Sequence, residues 1–360
     1  MEFIFLMVSE PTGFWQSLIS FFESFIFNYA WAIIVLTICI KIILTPLDFF
    51  NKKVARDNMR MQTALAPQLA RLQKQYGGDR AVLNQKTQEL YKSSGYNIMG
   101  SCFIMLLNLI LTMVIFLTLF GALNSMSSYK IEQQYLILKD TYDTTYTQTD
   151  GSEEEKVNQA QNAVLLKYDE IQDNFLWIQN VWVADNPWTS AILPFNSYLS
   201  SVGDQVRLSL DGESVSYKEL SDDEKENFKN DYEKVMLILN QEKAGVNGYL
   251  ITAVLAIATS FLSQYLMQKH TARKNAKKAI ESGSPAVATA QTNKILLIIL
   301  PIIMGIITLF YNAVFGLYII AGQVVSLATF PIIDKLLDIY YDKKDKKLAQ
   351  KNTVDYSRKN

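Results

Sequence analysis

Residues 30–47 read AWAIIVLTICIKIILTPL, an apolar run interrupted by a single cation, Lys41, the first basic residue of the chain. At roughly 1.5 Å per residue, a helix over these positions is just long enough to cross a bilayer core. An ammonium inside such a helix costs about 2.5–3.5 kcal/mol on insertion scales, so it needs water, a partner or a function.

Three further blocks, 101–123, 248–267 and 295–333, contain no Asp, Glu, Lys or Arg. Lipid cannot solvate a bare backbone, so apolar runs of this length must be helical. The last block is about twice what one span requires. A tight reversal at Tyr311-Asn312 divides it into spans at 295–311 and 315–333. With 30–48, 101–123 and 248–267, this predicts five transmembrane helices.

Charge sets the orientation. Residues 1–29 hold three acids and no Lys or Arg, whereas 49–100 hold nine basic residues against three acidic. Residues 268–294 hold six against one and 335–360 eight against four; 124–246 reverses the balance, with ten against twenty-two. Basic loops stay in the cytoplasm, which places the N-terminus outside and the C-terminus inside. The expected class is therefore an all-α polytopic membrane protein, N-out and C-in. It has a cytoplasmic helical hairpin within 49–100 and an extracellular, mixed or partly disordered insert over 124–247. A basic loop (268–294) and a basic tail (334–360) lie in the cytoplasm.

Residues 1–8 are mostly apolar but too short to span, and they lack the positive n-region of a cleaved signal. Trp15, Leu18, Ile19, Phe22 and Ile26 share one face at helical spacing, which predicts a helix over 13–27 lying in the outer interface. Met61, Leu65, Leu69, Leu72 and Tyr76 form an amphipathic stripe. Gly77-Gly78-Asp79 ends it, and a second arm follows over 80–92, so 51–92 is expected to form a helical hairpin, kinked at Pro67. In the insert, 129–168 is polar and partly disordered. The aromatic stretch from Phe175 to Phe195 lies against the membrane or the bundle. Val206–Leu210 and Ser214–Tyr217 pair as a short hairpin. Ser221-Asp-Asp-Glu224 is a capping box opening a helix to about Glu242.

Polar residues recur at helical spacing in each span: Thr37, Lys41 and Thr45; Asn108 and Thr112; Thr252, Thr259 and Ser263; Thr308 and Asn312; Gln323 and Ser326. Facing one another, these stripes would line a wet cavity solvating Lys41. About 10 Å from the cytoplasmic end of its helix, Lys41 would open that cavity to the cytoplasmic leaflet. The plainer alternatives are snorkelling by Lys41 and simple helix packing by the Ser and Thr stripes. His270 stands alone, Cys39 and Cys102 read as buried apolar thiols, and no nucleophile–base pair or phosphate loop is present. No enzyme, cofactor, metal site or specific nucleic-acid readout is expected.

The segment Asn28-Tyr-Ala-Trp-Ala-Ile-Ile-Val-Leu-Thr37…Lys41-Ile-Ile-Leu-Thr-Pro46-Leu47 resembles the first core span of the YidC family of membrane protein insertases. The likeness continues through Gln62…Pro67…Leu72…Tyr76-Gly-Gly-Asp79…Leu90-Tyr91-Lys92 and Gly100-Ser-Cys102-Phe103. It returns in Phe175-Leu-Trp-Ile178…Asn186-Pro187, Pro301 and Phe315-Gly316-Leu317-Tyr318. The resemblance implies a five-helix bundle with a polar groove closed outside and open to cytoplasm and lipid. Lys41 stands where that family carries a groove arginine that draws in the acidic tail of an incoming membrane protein. Lysine there loses the bidentate grip on a carboxylate. Ile98, Ile104 and Ile110 stand where the family often has proline.

The implied function is an insertase and folding chaperone in the plasma membrane of a bacterium, with nascent membrane proteins and the phospholipid bilayer as partners. Lys41, Thr37, Thr45, Asn108, Thr112, Thr252, Thr259, Ser263, Thr308 and Gln323 would form its groove. Arg56, Arg60, Met61, Leu65, Arg71 and Lys74 of the hairpin would make early contact with clients, the ribosome or the general translocation channel. Two alternatives stay open: a small anion or proton-coupled transporter, disfavoured by five spans without an inverted repeat, and a membrane anchor for the outer segment.

Overall fold

The structure, a computed structural model, describes residues 10–26, 28–94, 98–203, 217–281 and 294–358. These residues form helices α1 (Phe14–Ile26), α2 (Tyr29–Tyr76), α3 (Arg80–Ser93), α4 (Ile98–Gln148) and α5 (Glu153–Ile171). There follow α6 (Phe195–Val202), α7 (Asp222–Glu242), α8 (Ile251–Glu281), α9 (Lys294–Phe310) and α10 (Ala313–Arg358). Among the described residues no strand occurs, only isolated bridges at Phe175–Ile178 and Ser190–Val246. Segments of α2, α4, α8 and α10 are long and apolar enough to cross a membrane. The 17-residue α9 matches the remaining apolar block, at the lower limit for a span. The chain is an all-α, multi-pass membrane protein.

It divides into two compact units. One comprises Met1–Thr37, Phe116–Ala258 and Ile302–Ala321; the other comprises Ile38–Ile115, Thr259–Pro301 and Gly322–Asn360.

In the first unit, α1 turns Ile19 fully inward, and Trp15 donates its indole N–H to Thr118 Oγ1 at 2.9 Å. Helix α4 does not stop at residue 123. Ile131, Tyr135, Leu138 and Tyr142 continue it as a buried stripe, and α5 buries Ala160, Val164 and Tyr168. The stretch expected to be partly disordered is thus helical. Its polar composition conceals apolar positions at helical spacing, enough to pack one face. Both α5 and α7 open on complete capping boxes, at Ser152/Glu155 and Ser221/Glu224. Tyr135, Tyr198 and Tyr232 pack with Phe195 and Phe228, and the Tyr232 hydroxyl donates to Leu193 O at 2.7 Å. Lys139 of α4 lies between Asp143 (3.1 Å) and Asp231 of α7 (2.5 Å). Burial opposes its charge, yet the two carboxylates hold the ammonium above its ordinary value. Of the expected hairpin strands, residues 206–210 and 214–216 lie outside the described residues, and Tyr217–Glu219 forms a 3-10 turn.

The loop between α5 and α6 satisfies helix ends that lipid could not. Asp185, fully buried, accepts from the Trp177 indole (3.0 Å), Tyr249 N (2.8 Å), Thr252 N (2.7 Å) and Thr252 Oγ1 (2.7 Å), so it caps α8. Asn247 donates to the carbonyls of Asn180, Val183 and Ala184 at 2.8–3.1 Å and accepts from Asn180 N at 2.7 Å. Val183 O and Val181 O accept from Ala313 N and Val314 N, the first donors of α10. The reversal between α9 and α10 therefore needs only Tyr311 and Asn312, and Asn312 Oδ1 accepts Phe315 N at 3.1 Å.

In the second unit, α2 runs on through Pro46 and Pro67 to Tyr76, so neither proline ends it. Asp79 caps α3 through Ala81 N and Val82 N, forming the helical hairpin. Ile333, Leu337 and Tyr341 of α10 are buried against Phe49 of α2.

The capping of α8 yields a test. Asp185→Ala leaves several buried donors without an acceptor and is expected to destabilise the protein by about 3 kcal/mol. Gly248→Ala acts at the same point, because a Cβ there would stand 1.8 Å from Asp185 Oδ1. Both should lower the thermal unfolding midpoint in detergent; unchanged midpoints would show that this carboxylate does not hold the α8 end.

Candidate functional site

Lys41 sits in the second unit, half-buried near the middle of the first apolar run, and Thr45 Oγ1 donates to its carbonyl at 2.9 Å. Among the described residues, no carboxylate pairs with its ammonium within 4.0 Å. Asp48, two turns further along α2 and half-buried, is in electrostatic range of both Lys41 and Lys52. Lys41, Asp48, Lys52 and Arg56 follow at spacings of seven, four and four, so they share one face of α2. The Lys52 ammonium lies 3.9 Å from the centre of the Phe330 ring of α10.

This ladder ends in a neutral cluster. Arg56 donates one nitrogen to Asp338 at 2.7 Å and the other to Asp334. Lys274 of α8 pairs with Asp334 at 2.6 Å and with Asp338. His270 Nδ1 lies 3.8 Å from Asp334. Two cations and two carboxylates thus tie α2, α8 and α10 together, with the forked guanidinium bridging both acids.

The expected groove residues fall into both units. Lys41, Thr45, Asn108, Thr112, Thr259, Ser263 and Gln323 belong to the second; Thr37, Thr252 and Thr308 belong to the first. In the second, Ser263 is buried, Asn108, Thr259 and Gln323 are half-buried, and Thr112 is exposed. The three in the first unit are fully buried and internally satisfied: Thr37 donates to Ile33 O at 2.6 Å, Thr252 to Asp185, and Thr308 to Gly305 O at 2.7 Å.

In the hairpin, Arg56 is taken up by Asp334 and Asp338, and Arg60 pairs with Asp345 at 2.7 Å. Leu65 is buried and Met61 half-buried, while Arg71 and Lys74 are exposed. Arg71 lines an open cavity between the arms with Gln68, Leu72, Lys86, Glu89, Leu90 and Ser93.

Sequence reasoning missed Asp48, Lys274, Asp334 and Asp338. A signal was available for two of them: Asp48 is the only carboxylate between Glu23 and Asp57, and Asp334 is the first charge after a 39-residue apolar block.

Positions 21–340 match the family model described as 60Kd inner membrane protein. The membrane protein insertase YidC of Pseudomonas fluorescens (strain Pf0-1) is 36% identical over 120 residues, covering 33% of this chain and 20% of that protein. That of Laribacter hongkongensis is 34% identical over 111 residues, covering 31% and 18%. That of Fusobacterium nucleatum is 31% identical over 125 residues, covering 35% and 56%. The aligned stretches therefore span from under a fifth to just over half of these relatives' own lengths.

The charge cluster makes its own prediction. Arg56→Ala and Asp338→Ala, made singly and together, should show a coupling of about 1–3 kcal/mol in denaturant unfolding. Strict additivity would reduce the cluster to independent surface ions.

Proposed function

The chain belongs to the 60Kd inner membrane protein family, the YidC family, and on that basis we propose that it is a membrane protein insertase and folding chaperone. Its spans cross the membrane five times with the N-terminus outside and the C-terminus in the cytoplasm. The polar faces of the spans line a groove centred on Lys41, and the groove opens to the cytoplasm and to lipid. An incoming membrane protein presents the acidic segment that must cross; Lys41 draws it in while the client's apolar helix partitions into lipid. A cation in a low-dielectric cleft attracts a carboxylate at longer range than it would in water.

One observation carries this reading: a half-buried lysine in the middle of an apolar run, with no carboxylate pairing its ammonium among the described residues. A helix can satisfy a hydroxyl through its own carbonyls, but not three ammonium donors. Asp48 supplies a resident counter-charge two turns away, which holds the site closed to weakly acidic segments. Of the hairpin positions, Arg71 and Lys74 are the exposed ones through which clients, the ribosome or the translocation channel make first contact.

Lys41→Glu is expected to slow insertion of a client with an acidic translocated tail at least about tenfold, equivalent to roughly 1.4 kcal/mol. Lys41→Arg should retain most of the activity. The assay is protease protection of that client in vesicles reconstituted with the purified protein. Normal rates for Lys41→Glu would end the groove-charge mechanism. Asp48→Asn removes the competing carboxylate and should raise the rate for the same client in a Lys41-dependent way.

A further inference from the structure

Three apolar side chains project from loops of the first unit: Leu176, Trp188 and Tyr249 are 76%, 61% and 62% exposed. Each is fixed to the end of a helix that reads as a span. Leu176 follows Phe175, whose ring packs 5.4 Å from that of Trp31 in the first turn of α2. Trp188 follows Asp185, which caps α8, and Asn186, which donates to Leu309 O at the end of α9 at 2.9 Å. Tyr249 stands two residues before α8 and donates its N–H to Asp185.

Backbone hydrogen bonds close the turn that carries the first of these tips. Phe175 and Ile178 exchange two hydrogen bonds of 2.9 Å around Leu176. Leu176 and Leu250 have φ of 52° and 65°, a left-handed conformation that residues other than glycine or asparagine rarely adopt. A tight turn in water would carry glycine or asparagine at such a point; here an exposed leucine occupies one. Trp31 and Phe310, at the start of α2 and the end of α9, are exposed as well.

We propose that Leu176, Trp188 and Tyr249 form a collar seated in the lipid headgroup layer, so that the α5–α6 loop lies on the membrane at the outer ends of the spans. The partner is lipid because the tips are tied to the ends of helices that read as spans, where exposed Trp31 and Phe310 also stand. A tryptophan and a tyrosine also combine an apolar ring with a polar edge, which suits the boundary between water and acyl chains. This inference does not use Lys41 and stands apart from the insertion mechanism.

Nitroxide labels test it. Leu176→Cys, Trp188→Cys and Tyr249→Cys are introduced singly into the full chain carrying C39A and C102A, then reconstituted in phosphatidylethanolamine–phosphatidylglycerol vesicles. Asp150→Cys supplies an aqueous reference, since α4 carries it roughly 37 Å beyond residue 123 at the ordinary helical rise. Collision with oxygen, which concentrates in lipid, is compared with collision with a water-soluble nickel chelate. The oxygen-to-nickel ratio should be severalfold higher at all three tips than at the reference. Ratios equal to the reference would place the tips in water and overturn the proposal. Protection from both reagents would overturn it in favour of a protein cover.

Discussion

An ion near lipid must be paired or wetted, because hydrocarbon offers it nothing. Among the described residues, several cations follow the first course. Arg56 and Lys274 meet Asp334 and Asp338, and Lys139 lies between Asp143 and Asp231. Lys130 reaches Glu23 at 2.7 Å, joining α4 to α1. In each case a cation on one helix is neutralised by a carboxylate on another, so the pairing also fixes which helices are neighbours. Lys41 departs from this pattern: Asp48, with which it interacts electrostatically, is on its own helix, and among the described residues no carboxylate pairs with its ammonium within 4.0 Å.

The same constraint acts on the backbone. A helix end exposes donors or acceptors with no partner of their own, and near a bilayer these cannot be left to chance. The α5–α6 loop answers this with few residues: Asp185 for α8, the carbonyls of Val181 and Val183 for α10, and the Asn186 amide for the last turn of α9. Asn247 then holds the loop to itself through four hydrogen bonds. Close approach is part of the arrangement. Gly248 leaves room for the Asp185 carboxylate, and Gly305 admits Ile257, whose Cγ1 lies where a Cβ would be 2.2 Å away.

What could be read from the sequence was what depends on local pattern. Apolar length marked the spans, the capping box at Ser221 starts a helix, and Gly77-Gly78-Asp79 turns the hairpin. The helical continuation of α4 beyond residue 123 was missed because its charge content argued for solvent, whereas Ile131, Tyr135, Leu138 and Tyr142 settle the matter by spacing. Asp185 and the Arg56 cluster were not legible for a different reason. Asp185 meets the α8 end 64 to 67 positions away and Arg56 meets its two acids 278 and 282 positions away, and no periodicity reports a contact at that separation.

The polar stripes also need a stricter reading than spacing provides. A threonine in a span donates to the carbonyl one turn back at little cost, as Thr37 does to Ile33, Thr45 to Lys41 and Thr329 to Val325. Such a hydroxyl is satisfied in a dry environment, so a row of threonines does not by itself call for water. Lys41 does, since its ammonium has three donors and its own helix has no free acceptor to offer beyond the last turn. The amides of Asn108 and Gln323, both half-buried, carry the same demand in weaker form. In the proposed groove the demand for water comes from one lysine and two amides, and the threonines mark only which helix faces could tolerate it.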